Sequence, residues 1–316
     1  MRSKFLILSL LIVPLVSCSS NKEIKRNSFY FDTYTETRLF EGGEEDLNII
    51  NQIFSKIDKL TDNFKARDLN NVYCINNTNE NVEVEPELYE VLKCSFSADL
   101  SSLNYFNPFC GLLSKKWKES LGNKQVLDSL TITSELAKMQ NSELEFVNEN
   151  TVKRIGEGEI DLGAVAKGYA LDKVKEYLDQ KDYTKYLIDA GSSSLLLGEK
   201  PKGKNFKIKI TNLDSAYLSL KNCFVSTSSS SRQAVEIDGK VYSHIINPVT
   251  GSAINENDAV IVISDSGYLG DILSTAFVNE SIDSIKQLEK QFNVKTLVIK
   301  NKTIVYQNEG IEVLNK

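Results

Sequence analysis

Hydrophobic and polar positions alternate with two different periods along this chain of 316 residues. Residues 44–63 and the segment beginning at Pro86 place apolar side chains three or four positions apart, which predicts amphipathic helices. The same spacing follows Gly163, where four apolar side chains would form one buried stripe: Ala166, Ala170, Val174 and Leu178. Two more helices are predicted at residues 268–277 and 282–292.

Other segments alternate every second residue or are continuously apolar, which predicts strands. These strands cover residues 29–40, 159–162, 186–190 and 259–264. Two hairpins are predicted, one turning at Asp238 and Gly239 and one turning at Asn301 and Lys302. Helices and strands are grouped and do not strictly alternate. The sequence therefore predicts an α+β fold with mixed, largely antiparallel sheets and flanking helices.

The first residues are typical of a targeting segment. Arg2 and Lys4 precede a short apolar run that ends at residues 15–18, Leu-Val-Ser-Cys, which resembles a bacterial lipobox. We expect a signal peptide at residues 1–17, a lipidated Cys18, a polar tether over residues 18–28 and one domain over residues 29–316. The protein would then be exported and lipid-anchored to the bacterial cell membrane, facing away from the cytoplasm. An ordinary secretory peptide cut nearby is the alternative.

Composition restricts the chemistry of the domain. The formal net charge is -6, and no dense block of Lys or Arg occurs, so nucleic acid is not an expected partner. His244 is the one histidine, which excludes a His-rich zinc site and a relay of two histidines. Four cysteines follow Cys18 without a C-x-x-C pair, and the sequence does not choose among their three possible disulfide pairings.

Three segments carry residues suited to catalysis. Residues 160–172 place Lys167 at a predicted helix start, where free N–H groups and the helix dipole attract phosphate. The alternative is that the glycines of this segment serve packing alone. In residues 242–251, His244 lies at a strand end beside a turn, and its near-neutral pKa suits proton transfer. A lone histidine with a purely structural role is the alternative.

The third segment contains Asp271 and Thr275, four residues apart on a predicted helix and therefore on one face. A carboxylate and a hydroxyl on one face offer hard oxygen ligands to Mg²⁺. Taken alone, this pair is better explained as a solvated helix start with Asp271 as its cap.

Together, these three segments resemble the motifs of the FAD:protein FMN transferase family, also called the ApbE family of flavin transferases. Residues 160–172 resemble its D-L-G-x-x-A-K-G-Y-x-x-D signature, and residues 243–251 resemble its S-H-I-x-x-P-x-T-G. Residues 270–275 resemble its A-D-x-x-x-T magnesium motif, with Gly270 in place of alanine. The resemblance extends from about Phe29 to the last hairpin and implies the fold of that family.

The resemblance also implies roles for individual residues. It assigns Mg²⁺ to Asp271, Thr275, the carbonyl of Ala164 and Ser274, and it assigns catalysis to His244 and Asp271. The positions expected to contact FAD are Phe31, Asn63, Phe64, Lys65, Asn107, Lys167, His244 and Ile245. Several family residues of the flavin and adenine pocket differ here. Asn107, for example, replaces a carboxylate, which affects ring contacts more than the metal set.

The implied reaction is Mg²⁺-dependent cleavage of the substrate FAD. A Ser or Thr hydroxyl of an acceptor protein attacks the FMN-side phosphorus, FMN becomes attached by a phosphoester bond, and AMP leaves. The implied acceptors are flavoprotein subunits of membrane or extracellular electron-transfer systems. Two alternatives stay open. Water could replace the acceptor, giving an FAD pyrophosphatase, or the protein could be a lipoprotein that binds flavin without reaction.

Overall fold

The computed structural model describes residues 23–211 and 213–315. The helices of this part of the chain are α1 Glu44–Thr61, α2 Val72–Asn76, α3 Pro86–Ser95, α4 Gly111–Gly122, α5 Ser129–Gln140, α6 Ala166–Gln180, α7 Gly267–Phe277 and α8 Ile282–Phe292. The strands are β1 Ile24–Tyr30, β2 Thr33–Leu39, β3 Val82–Glu83, β4 Glu143–Asn148, β5 Thr151–Ile155, β6 Tyr186–Ala190, β7 Ser194–Leu197, β8 Phe206–Lys209, β9 Ala216–Leu220, β10 Cys223–Ser229, β11 Val235–Ile237, β12 Lys240–Tyr242, β13 Ala259–Ser264, β14 Lys295–Lys300, β15 Thr303–Gln307 and β16 Val313–Asn315.

The centre of the fold is an antiparallel sheet of eight strands in the order β1-β2-β6-β7-β10-β13-β14-β15. One face of this sheet packs against α1, α6 and α7 around the largest apolar cluster. A second apolar cluster joins the strands of this sheet to those of a smaller sheet ordered β16-β9-β8. The predicted α+β fold with largely antiparallel sheets and flanking helices is confirmed.

The single strand predicted over residues 29–40 is wrong. Phe31 and Asp32 have φ angles of 53° and 54°, and this left-handed pair turns the chain between β1 and β2. The alternation of side chains continues through the turn, so its period does not reveal the reversal. β1 begins at Ile24, so residues 24–28 of the predicted tether form part of a strand.

The strand predicted at residues 159–162 is also absent, because only Glu159 forms an isolated bridge, with Cys110. The other predicted elements are present, including both hairpins, whose turns fall at Asp238–Gly239 and Asn301–Lys302. Among the described residues, no helix is long and apolar enough to cross a membrane. The predicted signal peptide and Cys18 lie outside the described residues.

Candidate active site

A cavity of about 660 Å³ brings the three sequence motifs together. It opens between the β1–β2 turn, α4, the loop before α6, the end of β10, the loop after β12, and α7. Ten of the predicted site residues line it: Phe31, Phe64, Asn107, Ala164, Lys167, His244, Ile245, Asp271, Ser274 and Thr275. A cavity of this volume lies within the range of cofactor and substrate pockets.

Two residues predicted to contact FAD, Asn63 and Lys65, lie outside this lining. Asn63 is buried, and its carbonyl oxygen accepts a hydrogen bond from Lys115 Nζ at 2.9 Å. Lys65 is exposed, and its carbonyl oxygen accepts a bond from the side-chain amide of Asn71 at 2.9 Å. Both residues therefore help to shape the loop that carries Phe64, but neither side chain lines the cavity.

Asp271 is held in the cavity wall by neutral donors. Its Oδ1 accepts hydrogen bonds from Ser226 Oγ at 2.6 Å and Ser194 Oγ at 2.8 Å, and its Oδ2 accepts one from the Gly168 N–H at 2.8 Å. The residue is 6% exposed. Burial raises the pKa of Asp271 above its ordinary value of 3.8, while the positive charge of Lys167 and these hydrogen bonds act against that rise. A further cation would stabilise the ionised carboxylate.

The hydroxyl groups of Ser274 and Thr275 lie on α7 and line the same cavity as this carboxylate. Ser228 Oγ is 3.0 Å from Ser274 Oγ and 3.1 Å from Thr275 Oγ1. Ser274 Oγ also donates to the carbonyl of Asp271 at 3.1 Å, as a helical serine can. Asp271 and Thr275 are one helical turn apart and line the same cavity, as their spacing predicted.

These donors fit Mg²⁺, which prefers carboxylate, hydroxyl and carbonyl oxygens. Within the described residues, no three His, Cys, Asp or Glu side chains are grouped closely enough to hold a metal ion. A metal here would therefore combine the Asp271 carboxylate with the hydroxyls of Ser274 and Thr275 and the carbonyl of Ala164. The arrangement suits a weakly held Mg²⁺ shared with substrate oxygens better than zinc, which prefers histidine and cysteine.

Lys167 lies in the first turn of α6, as predicted from the sequence motif. It lines the cavity and is close enough to Asp271 and His244 for its charge to affect the pKa of both groups. It takes part in none of the ion pairs found among the described residues. Its ammonium group can therefore bind an anionic ligand beside the start of a helix.

His244 is oriented by a single backbone contact. Its Nδ1 lies 2.9 Å from the carbonyl oxygen of Arg232. A carbonyl oxygen can only accept, so Nδ1 carries the proton and Nε2 of the neutral ring has the free lone pair. Desolvation by the cavity wall lowers the pKa of His244 below 6.5, and the charges of Lys167 and Arg232 lower it further. The imidazole is thus a neutral base at pH 7.

The loop that carries His244 is fixed on both sides of it. The buried Ser243 Oγ donates to Asn255 Oδ1 at 2.5 Å and accepts from the Ile245 N–H at 2.9 Å. Further along the loop, the Gly251 carbonyl accepts a hydrogen bond from Trp117 Nε1 at 2.7 Å. Neighbouring hydrogen bonds therefore position the histidine backbone before any ligand binds.

Several residues in or next to the cavity were not predicted. Ser194, which lines the cavity, pairs with Ser226 on the neighbouring strand, β7 with β10, and both hydroxyls donate to Asp271. Lys115 and Lys118 of α4 place Nζ atoms 5.3 Å and 4.8 Å from the ring centre of Phe64. The three-residue spacing of Lys115 and Lys118 is a sequence signal that could have placed both on one face of α4. The strand register that brings the two serines together leaves no local signal in the sequence.

Comparison with known proteins identifies the family of this chain. The sequence model of the ApbE family matches residues 31–298. The chain is 30% identical over 230 residues to a Klebsiella pneumoniae protein named FAD:protein FMN transferase, covering 71% of this chain and 72% of that protein. A Chlamydia muridarum protein of the same name is 25% identical over 257 residues, covering 76% and 78%.

Solved structures show the same fold. The ApbE protein of Thermotoga maritima superposes with a TM-score of 0.76 at 21% identity, covering 93% of this chain and 97% of that one. The flavin transferase ApbE of Vibrio cholerae gives a TM-score of 0.74 at 18% identity, with the same coverage. From the match over residues 31–298 and the identity to its relatives, this chain belongs to the ApbE family.

Proposed function

We propose that this protein is a Mg²⁺-dependent FAD:protein FMN transferase that attaches FMN to a Ser or Thr hydroxyl and releases AMP. The observation that carries the proposal is the meeting of Lys167, His244, Asp271 and Thr275 in one cavity. The names of the relatives support transfer of the FMN part of FAD to protein. Cleavage of a diphosphate requires charge neutralisation and a base, and these four residues supply groups of both kinds.

The metal-binding role falls to Asp271, with Thr275, Ser274 and the Ala164 carbonyl. Bound there, Mg²⁺ would neutralise part of the diphosphate charge and polarise the phosphorus centre. The Ser194 and Ser226 hydroxyls and the Gly168 N–H donate to Asp271 and favour its ionised form against the effect of burial. Lys167 adds a positive charge next to the same ligand, at the start of α6.

The base is His244. With Nδ1 donating to the Arg232 carbonyl, Nε2 can accept the proton of the attacking hydroxyl. The acceptor oxygen forms a bond to the FMN-side phosphorus while the bond from that phosphorus to the AMP oxygen breaks. The electron pair leaves with AMP. No covalent intermediate with the enzyme is required, so the chain contributes positioning, proton acceptance and charge stabilisation.

The test combines the mature chain with FAD, Mg²⁺ and an acceptor domain bearing a Thr. A fluorescent acceptor band on a denaturing gel is the expected result. Asp271→Ala should abolish it, whereas Asp283→Ala, an exposed carboxylate on α8, serves as the control. Free FMN and AMP without a fluorescent band would indicate an FAD pyrophosphatase. FAD bound but unchanged would indicate flavin binding alone, and normal transfer by Asp271→Ala would contradict the metal assignment.

We further propose that the protein is exported and anchored to the bacterial cell membrane through lipid on Cys18, near its acceptors. The basic and apolar residues before Cys18 support this. Strand β1 begins six residues after Cys18, so the folded domain would lie close to the membrane surface. Metabolic labelling with palmitate should mark the full chain and not Cys18→Ala, and labelling of that variant would contradict the assignment. The acceptors would be flavoprotein subunits of membrane or extracellular electron-transfer systems.

A further inference from the structure

Arg232 is a cavity residue that the sequence motifs did not identify. It follows the serine-rich end of β10 and lines the cavity together with Lys167 and Asp271. Its Nη1 donates a hydrogen bond to the carbonyl oxygen of Gly191 at 3.1 Å. None of the ion pairs of the described residues includes Arg232. Its other guanidinium N–H groups can therefore bind an anion.

The backbone of Arg232 connects this guanidinium to the proposed base. The Arg232 carbonyl oxygen accepts the hydrogen bond from His244 Nδ1, so the residue stands at the reacting end of the cavity. The contact to Gly191 ties the guanidinium to the loop between β6 and β7. One residue thus holds the imidazole through its main chain and presents a positive charge through its side chain.

We propose that Arg232 binds a phosphate oxygen of the diphosphate next to His244 during transfer. The inference rests on the proposed function, because it takes the FAD diphosphate as the ligand of this cavity. A guanidinium matches phosphate oxygens with two parallel hydrogen bonds, which an ammonium group does not offer. Negative charge spreads over the phosphoryl oxygens while the acceptor oxygen bonds to phosphorus and AMP leaves. A fixed positive charge at that point lowers the energy of this state.

The experiment measures binding of inorganic pyrophosphate, in the presence of Mg²⁺, by calorimetry. Pyrophosphate contains the diphosphate without flavin or adenine, so ring contacts do not contribute. Arg232→Met should bind it about 10- to 100-fold more weakly, the loss expected for one hydrogen bond between charged groups. The affinity of Arg232→Lys for pyrophosphate should lie between those of the parent and the Met variant, because lysine keeps the charge and loses the two parallel hydrogen bonds. The matched control is Arg26→Met, on β1 outside the cavity lining, where Arg26 contacts Asn48 and Glu44.

Steady-state kinetics with FAD and an acceptor domain give the second readout. Arg232→Met should lower kcat/KM by a similar factor while its thermal unfolding stays that of the parent. Pyrophosphate binding by Arg232→Met that equals the parent would overturn the inference, as would a parent chain that binds no pyrophosphate. A parent that binds pyrophosphate and never cleaves FAD would refute the proposed function alone. The comparison of Arg232→Met with the parent would still decide the diphosphate contact.

Discussion

The contact between α6 and α7 sets the position of Asp271. The substitution Gly168→Ala tests whether this contact is needed for stability and activity. Gly168 and Gly267 touch through their backbones. A Cβ built on Gly168 would lie 2.1 Å from the Gly267 carbonyl oxygen, and one on Gly267 would lie 2.3 Å from the Gly168 carbonyl oxygen. The Gly168 N–H also donates to Asp271 Oδ2. One added methyl group therefore acts on the helix contact and on the proposed metal ligand together.

The size of the effect follows from this geometry. To reach a 3.0 Å contact, the helices would have to separate by about 1 Å, because both contacting groups are backbone and cannot rotate away. Overpacking of this kind costs roughly 1–3 kcal/mol or more, and the helix preference of alanine over glycine offsets about 1 kcal/mol of it. We expect a net loss of up to about 2 kcal/mol in the free energy of unfolding. A displacement of about 1 Å in the site can lower turnover about 100-fold.

Urea unfolding and the FMN-transfer assay measure the two effects. Gly43→Ala is the control, since Gly43 precedes α1 outside the cavity lining, has a φ of -146° and has no atom within 4 Å of its added Cβ. That variant should unfold within about 1 kcal/mol of the parent, the usual cost of alanine at a helix N-cap, and should keep full activity. The reasoning would be refuted if Gly168→Ala matched the parent in both unfolding free energy and transfer rate.

Three other outcomes follow from the structure. Because the pKa of His244 is lowered below 6.5, kcat/KM should stay constant near pH 7 and fall only as the pH drops below 6.5, and proton NMR of this one histidine should give the same midpoint. Burial raises the pKa of Asp172 from 3.8 to about 6, so the folded chain holds that proton more tightly than the unfolded chain. Its contribution to stability should therefore fall by about 2 kcal/mol between pH 4 and 6, and urea unfolding of Asp172→Asn should lack this slope. Asp62 accepts hydrogen bonds from the Phe64 N–H at 2.9 Å and from Arg67 Nε at 2.8 Å, and these bonds hold the loop that carries Phe64. Asp62→Ala should therefore raise the KM for FAD about fivefold in steady-state kinetics. An unchanged KM would contradict a role of this loop in FAD binding.

Local sequence patterns predicted the parts of the site that lie on one element. Asp271 and Thr275 share a helix, and their four-residue spacing is sufficient to place them on one face of it. Lys167 was predicted at the start of α6 by the glycine turn and the apolar stripe after it. In both cases the relevant geometry repeats within one helical turn. Such geometry depends on the helix alone and not on the rest of the fold.

The contacts between elements were not predictable in the same way. Ser194 and Ser226 lie 77 and 45 residues from Asp271, and they reach it because β7 and β10 pair in one register. A shift of one residue in that pairing would turn one hydroxyl to the other face of the sheet. The turn at Phe31 was not predicted for a related reason, since phenylalanine is unusual at a positive φ and the side-chain alternation continues through it.

The charges of the cavity are arranged for a ligand and not for the empty protein. Lys167, Arg232 and Asp271 line one cavity, yet within the described residues neither cation forms an ion pair with Asp271. A direct ion pair would stabilise the carboxylate, but it would also occupy the oxygen atoms and the N–H groups that a metal and a diphosphate need. Three neutral donors hold Asp271 in place instead. Burial of the carboxylate without a paired cation raises its pKa. A bound cation would offset this cost of burial, so the empty site would favour binding of the proposed metal and substrate.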